Sequence, residues 1–265
     1  MAEPDPTNLN ELLAMMDEGE KRFVGLLPDD TMTPTYGKLV AGSLLSDCLA
    51  LHLGIRTLLE RWLSDEAGVL LRKMMENTAA LVYLGGSRGK LESLAVEFMH
   101  ALTKKELALW HADKQAYGDD AAEEGLKATQ DELQRLKNEW RALGNKGKVP
   151  SFPKTDALLR KMRQDDKRGL IVRGHLYAHT SAMGLEGRLN TNREDAAVFE
   201  THKDPNLGVS VGATALDLLM GAGLGAAGAM GWSSETSTTI QDLRTDLGER
   251  MVPVMRAARK ASADR

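Results

Sequence analysis

Cysteine occurs once in 265 residues, at Cys48. A lone thiol closes no internal disulfide and supplies no thiolate zinc cage. Sitting in an apolar run, it reads as a small buried residue in a chain suited to a reducing cytoplasm. Aromatic residues are also scarce, at 5%. Strands draw on aromatic and β-branched side chains, so a sheet-rich fold is disfavoured; the abundance of Leu, Ala and Met favours helices. No charge sign dominates: 34 Lys and Arg stand against 38 Asp and Glu, a net charge of -4. That excludes a uniformly basic nucleic-acid surface while leaving room for a local basic groove. The opening MAEPDPTNLNELL has no basic region followed by an apolar core, so no secretory signal is expected. A Gly-x-Ser-x-Gly elbow, a Gly-Lys-Ser/Thr phosphate loop and a strand-linked dinucleotide fingerprint are all missing.

What is present is helical periodicity over a length sufficient for a substantial core. Asn8 or Asn10 is placed to cap a short amphipathic helix through Leu13, Met16 and Phe23, with a loop from Leu26 to Thr35. The pattern then predicts a long helix from about Tyr36 to Ser64. Its middle is apolar almost all round, as expected of a central helix, and His52 within it reads as a satisfied core histidine. Ser64, Asp65 and Glu66 mark the next helix start, and Gly85-Gly86 its stop. Residues 88–117 and 121–143 predict two helices that form an antiparallel hairpin over 88–145, free to project from the body. A linker over 144–154 leads to a short helix and a basic cluster of Arg160, Lys161, Arg163, Lys167 and Arg168.

Residues 186–208 read as a polar loop or a short strand pair, with a turn at Asp204-Pro205-Asn206. The Gly- and Ala-rich run at 209–232 approaches a bilayer span in length. Asp217 near its middle and its six glycines fit close helix approach inside a bundle better, so no membrane is expected. A last helix passes Leu243, Leu247 and Met251, meets Pro253, and ends in a basic tail. The architecture predicted is a single all-α domain over 1–265, a bundle of roughly eight or nine helices.

The stretch RGLIVRGHLYAHTSAMGL, residues 168–185, concentrates the polar chemistry. In a mostly apolar, helix-length run it holds Arg173, His175, Tyr177, His179 and Ser181, including two of the six histidines in the chain. At 3.6 residues per turn both imidazoles fall on the broad apolar face. Either they are core residues, each hydrogen-bonded to a neighbour, or that face lines a polar cleft. On the earlier helix Arg72 and Glu76 stand four apart and Tyr83 continues their face. They form a solvated surface pair or point into a polar interior. Metal chemistry has thin support: Leu176 replaces the glutamate of a His-Glu-x-x-His motif, and Glu97…His100 supplies a di-iron Glu-x-x-His once where two are needed. No metal and no cofactor is expected.

Arg173 followed by His179 resembles the Arg-x(4–6)-His pattern of HEPN-type helical ribonucleases. Together, Arg72…Glu76 and the Arg173…His179-Thr180-Ser181…Gly184-Leu185 run resemble an uncharacterised family of bacterial helical proteins of unknown function. The nuclease resemblance implies metal-independent RNA cleavage, with His179 as general base or acid and Arg173 holding the phosphate. His175 or Tyr177 would assist, and Arg72, Glu76, Arg168 and Ser181 would contribute binding. It also implies RNA as a partner and a site shared across a homodimer, which the Gly/Ala helix would suit. Six residues on a regular helix set Arg173 and His179 roughly 120° apart, so convergence needs the long arginine side chain, a helix irregularity or a second subunit. The alternative is a non-catalytic interaction protein in which Arg72, Glu76 and the two histidines form a buried network that fixes helix register.

Overall fold

The computed structural model describes residues 6–28, 35–87, 89–118, 120–161, 189–190, 198–199 and 205–263. Among them lie eight helices: α1 (Thr7–Val24), α2 (Tyr36–Glu60), α3 (Ser64–Gly85), α4 (Leu91–Tyr117), α5 (Asp120–Ala142), α6 (Thr155–Lys161), α7 (Pro205–Met230) and α8 (Ser234–Ala263). The protein is an all-α bundle. A two-residue antiparallel ladder, β1 (Leu189–Asn190) with β2 (Val198–Phe199), pairs Leu189 with Phe199 and Asn190 with Val198.

The central helix is α7, not α2 as its sequence suggested. Asp217 is the one charged residue in α7, and α1, α2, α3 and α8 all pack around it. Both α2 and Leu207–Met230 of α7 are long and apolar enough to cross a membrane by length and composition. In α7 that apolarity is spent inward: Val209, Leu216, Leu218, Leu219, Met220 and Ala226 are all buried. Hydrophobicity all round a helix is what full enclosure requires. α2 instead leaves Leu39 and Leu53 exposed.

Glycine sets how closely α7 meets its neighbours. A Cβ on Gly225 would lie 2.7 Å from the Val82 backbone nitrogen, and one on Gly228 would lie 2.7 Å from the Gly85 carbonyl oxygen. The backbones of α3 and α7 therefore touch where side chains would normally hold two helices 8–10 Å apart. Gly221, one turn earlier on α7, is less crowded: the nearest neighbour of a Cβ there would be Thr78 Cγ2 at 3.5 Å. Phe23 of α1 fills the space over Gly223.

Several helix ends depart from the sequence reading. Asn8 and Asn10 lie inside α1, which follows Pro6 without a side-chain cap. Ser64 is the first residue of α3 and does not cap it, while Asp65 and Glu66 occupy the first turn, where the helix dipole favours acids. The preceding reversal runs through Trp62 at φ 62, a left-handed conformation rare outside glycine. Pro205 and Asn206 open α7 and do not form a separate turn; proline suits the first helical position because its missing N–H would have had no intrahelical partner. α8 continues through Pro253 to Ala263.

The start of α2 is tied to α4. Thr35 caps α2 by accepting from the Lys38 N–H, and its hydroxyl donates to Glu92 Oε1 at 2.6 Å. Glu92 Oε2 accepts from the Gly37 N–H at 2.8 Å. Beyond that anchor, α4 and α5 run out as a hairpin that turns at Gly118 (φ 62). Val96, Leu136, Trp140 and Val149 form its own small core. At the far end Leu109 and Tyr117 are exposed, so the hairpin projects.

Ion pairs hold α1 on two sides. Arg56 of α2 donates to Asp17 at 2.8 Å, and buried His52 sits 3.0 Å from Glu20. On the α8 side Arg250 donates to Glu18 at 2.7 and 2.8 Å, and Arg22 to Asp246 at 2.8 Å. Arg250 and then Arg22 hold the Glu18 carboxyl down from 4.5 to about 2. His52 holds Glu20 below the usual carboxylate range, and Lys21, followed by Arg56, does the same for Asp17.

Two outcomes follow from these contacts. Gly225→Ala should destabilise by about 2–3 kcal/mol in urea unfolding, as overpacking does; Gly221→Ala should be neutral or stabilising by up to about 1 kcal/mol, because the space exists and alanine favours the helix. A Gly225→Ala variant as stable as the wild type would refute the close α3–α7 contact. Carboxylates with depressed folded values contribute stability above their unfolded pKa and lose it as pH falls through the folded one. Unfolding titrations should therefore weaken from about pH 4.5 toward 2. Arg250→Ala should flatten that slope by under about 1 kcal/mol, since the pair is exposed.

Candidate functional site

Polar residues recur along one stripe of α3. Asp65, Arg72, Glu76 and Tyr83 follow one another at seven, four and seven residues, which keeps them within about 40° of helix circumference. Asp65 is buried. Arg72 Nε lies 3.5 Å from Glu76 Oε1, and the two side chains are 26% and 31% exposed. They are neither a fully solvated pair nor a sealed one. Asp65, Arg72 and Tyr83 each take part in a further interaction besides these, so the stripe is a partnered arrangement.

At the Tyr83 end, Phe152 of the segment before α6 wedges between two helices. Its ring meets Tyr83 edge-on at 5.6 Å and Phe98 of α4 at 5.1 Å. This wedge, with Leu158 and Leu159 in the main core, seats α6 against α3. Arg160, on α6, is exposed and donates to the Asp156 carbonyl at 3.3 Å.

Arg163, Lys167, Arg168, Arg173, His175, Tyr177, His179 and Ser181 lie outside the described residues. Of the predicted site residues, the structure brings together Arg72 and Glu76. It adds Asp65, legible afterwards as the residue one heptad before Arg72. Phe152 had no sequence signal, because a phenylalanine in a Gly/Pro/Lys linker carries no periodicity to place it.

The other singled-out histidines have structural surroundings. His52 is a fully buried core histidine with Nδ1 on Glu20, but it is satisfied on one side only: its Nε2 is buried without a hydrogen-bond partner among the described residues. With Glu20 ionised its oxygen must accept, so Nδ1 carries the proton. His100 is 4% exposed; burial, with Lys104 and Lys137 nearby, lowers its pKa. Burial raises that of Glu97. Among the described residues no group of three or more His, Cys, Asp or Glu is placed to hold a metal ion. Cys48 is buried, its thiol pushed up to about 11 by desolvation, and its sulfur lies 3.7 Å from Thr78 Oγ1. An unreactive thiol is expected there.

Next to the α3–α7 crossing, a cavity of about 330 Å³ is bordered by Val82, Gly86, Leu224 and Arg244. Arg244 donates through Nε to Asp217 at 2.7 Å. That pair joins α7 to α8.

The fold and stripe thus define an all-helical protein with a charged, partly accessible line on one core helix. Residues 38–197, more than half of the chain, match a family of unknown function, DUF5677. The protein belongs to that family. The matched stretch takes in all but the first two residues of α2, then α3 to α6 and the Arg173…His179 run, and leaves α1, α7 and α8 outside it. No curated protein and no solved structure matches the chain.

The wedge generates its own test. Phe152→Ala removes two edge-on ring contacts from a half-buried site and should cost about 2–3 kcal/mol in chemical denaturation. A cost below about 0.5 kcal/mol would mean that α6 is held against α3 by other means.

Proposed function

We propose that this protein is a HEPN-like, metal-independent ribonuclease in which the α3 stripe serves as the phosphate-orienting side of the site. The observation that carries this reading is the Arg72–Glu76 pair. It is a guanidinium and carboxylate set in an otherwise core-packed helix yet reached by solvent. Guanidinium groups pair well with phosphate oxygens, so an arginine that solvent reaches is of the right chemical type to meet an RNA backbone. The same family-matched stretch carries Arg173 and His179. In this reading Arg173 stabilises charge on the transferred phosphate. His179 takes the proton from the ribose 2′-hydroxyl or returns one to the leaving oxygen, with His175 or Tyr177 assisting. Arg168 and Ser181 contact the RNA backbone. The chemistry needs no metal or cofactor.

A second reading, a non-catalytic interaction protein, is favoured by one observation: buried Asp65 and half-buried Arg72 both have partners already. A satisfied polar network fixes helix register without catalysing anything.

Labelled RNA incubated in chelator separates the two. The nuclease reading expects cleavage that falls by about 10²-fold or more in His179→Ala. It also expects weaker RNA binding by Arg72→Ala with the fold retained by circular dichroism. No cleavage by the wild-type protein, or equal cleavage by both, ends it. The network reading expects no cleavage and a loss of about 1–3 kcal/mol on Arg72→Ala, the cost of orphaned buried partners.

A further inference from the structure

Several helix ends meet around one hollow. α3 stops at Gly85, α7 stops at Met230, and α8 starts at Ser234. The chain reverses from α7 into α8 through Gly231 at φ 74, a left-handed conformation that glycine adopts without strain. Between these ends and Leu91, the first residue of α4, lies a cavity of about 660 Å³. That is twice the volume of the one beside Arg244 and well inside the range of small-molecule sites.

The walls restrict what fits. Among the described residues that line the cavity, none is charged. Lys90 and Glu235, each beside a lining residue, are exposed and stand outside the wall. A charged ligand would enter without a counter-charge, so the wall suits a neutral one. Trp232 lines the cavity with an indole that is only partly exposed. Its flat face is a platform for another ring.

Most of the hydrogen-bonding groups accept. Ser87 Oγ donates to the Tyr83 carbonyl at 3.0 Å, Ser237 Oγ to the Ser233 carbonyl at 3.2 Å, and Thr238 Oγ1 to the Ser234 carbonyl at 2.9 Å. All three residues line the cavity, and with the proton committed each hydroxyl has only lone pairs to offer. The Gly231 and Trp232 N–H groups both turn back to the Ala227 carbonyl at 3.0 Å. The carbonyls of Gly228 and Ala229, also in the wall, therefore keep no backbone donor among the described residues. Ser234 supplies the donors, through its hydroxyl and through its N–H at the first position of α8.

We propose that this cavity is a binding site for a neutral nucleoside. The base stacks on Trp232. Its amino group and the ribose hydroxyls donate to the serine and threonine oxygens and to the open carbonyls at the end of α7. The site shares no residue with the ribonuclease reading and does not rest on it.

Calorimetric titration of the full chain with adenosine tests it. Saturable binding at one site per chain is expected, with Kd at or below about 1 mM. Thr238→Phe places a ring in the cavity from an exposed helical position; it should weaken binding by about tenfold or more with the melting transition unchanged. Trp232→Leu, which removes the platform, should also weaken it about tenfold. Ribose alone should bind at least about tenfold worse than adenosine. His179→Ala should bind adenosine as the wild type does, whether or not RNA is cleaved.

No saturable heat with adenosine at about 5 mM overturns the proposal. So does adenosine binding that Thr238→Phe leaves unchanged, because the nucleoside then sits elsewhere. Ribose binding as well as adenosine also overturns it, since the ring would then contribute nothing.

Discussion

The contact between α3 and α7 at Gly85, Gly225 and Gly228 is the constraint on which the rest of the bundle depends. Backbone atoms there approach to distances that any side chain would forbid. Dispersion between closely packed backbones is gained there at the cost of glycine's loss of freedom on folding. Once α3 and α7 are locked, α1, α2 and α8 have a fixed apolar surface to cover. Phe23 over Gly223 extends the same logic to α1: an aromatic ring fills the space left by a missing side chain.

That lock also positions the candidate site. Gly85 is two residues from Tyr83, about 200° round the helix, so the face pressed against α7 and the polar stripe point in different directions. α3 is held from behind while Arg72 and Glu76 remain partly accessible in front. Phe152 then brings α6 to the Tyr83 end of the stripe. Side chains on a helix braced this way keep their spacing, which either a phosphate-binding site or a register-fixing network would need. The outer features are more loosely held. α1 is clipped by ion pairs that acid weakens, and the α4–α5 hairpin extends beyond the core with a small hydrophobic cluster of its own.

Much of this was legible in residue order. Periodicity placed the helices because an apolar face repeats every three to four residues whatever it packs against. The Gly/Ala run was readable as a close-packing helix, and His52 as a core histidine. Other features were not. The asparagines near the start of α1 were equally good caps on paper, but the helix begins before them. Pro205 carries a turn signal and a helix-start signal at once, and only the packing of the following residues selects between them. α2 was taken for the centre of the bundle because composition reports how apolar a helix is, and not whether neighbours exist to cover it. For the site, spacing placed Arg72 and Glu76 together. The wedge of Phe152 and the burial of Asp65 needed coordinates.

By itself the sequence determined that the chain folds as helices, where most of them run, and that one helix is poor enough in side-chain bulk to be approached closely. These are consequences of local propensity and of a 3.6-residue period, both written in consecutive residues. The tertiary structure alone decided which apolar helix is enclosed and which keeps an open face. It alone decided that Gly225 and Gly228, more than Gly221, form the tightest contact, and that the Arg72–Glu76 pair is neither sealed nor fully solvated. Those outcomes turn on which surfaces meet across long stretches of chain, and local spacing holds no information about that.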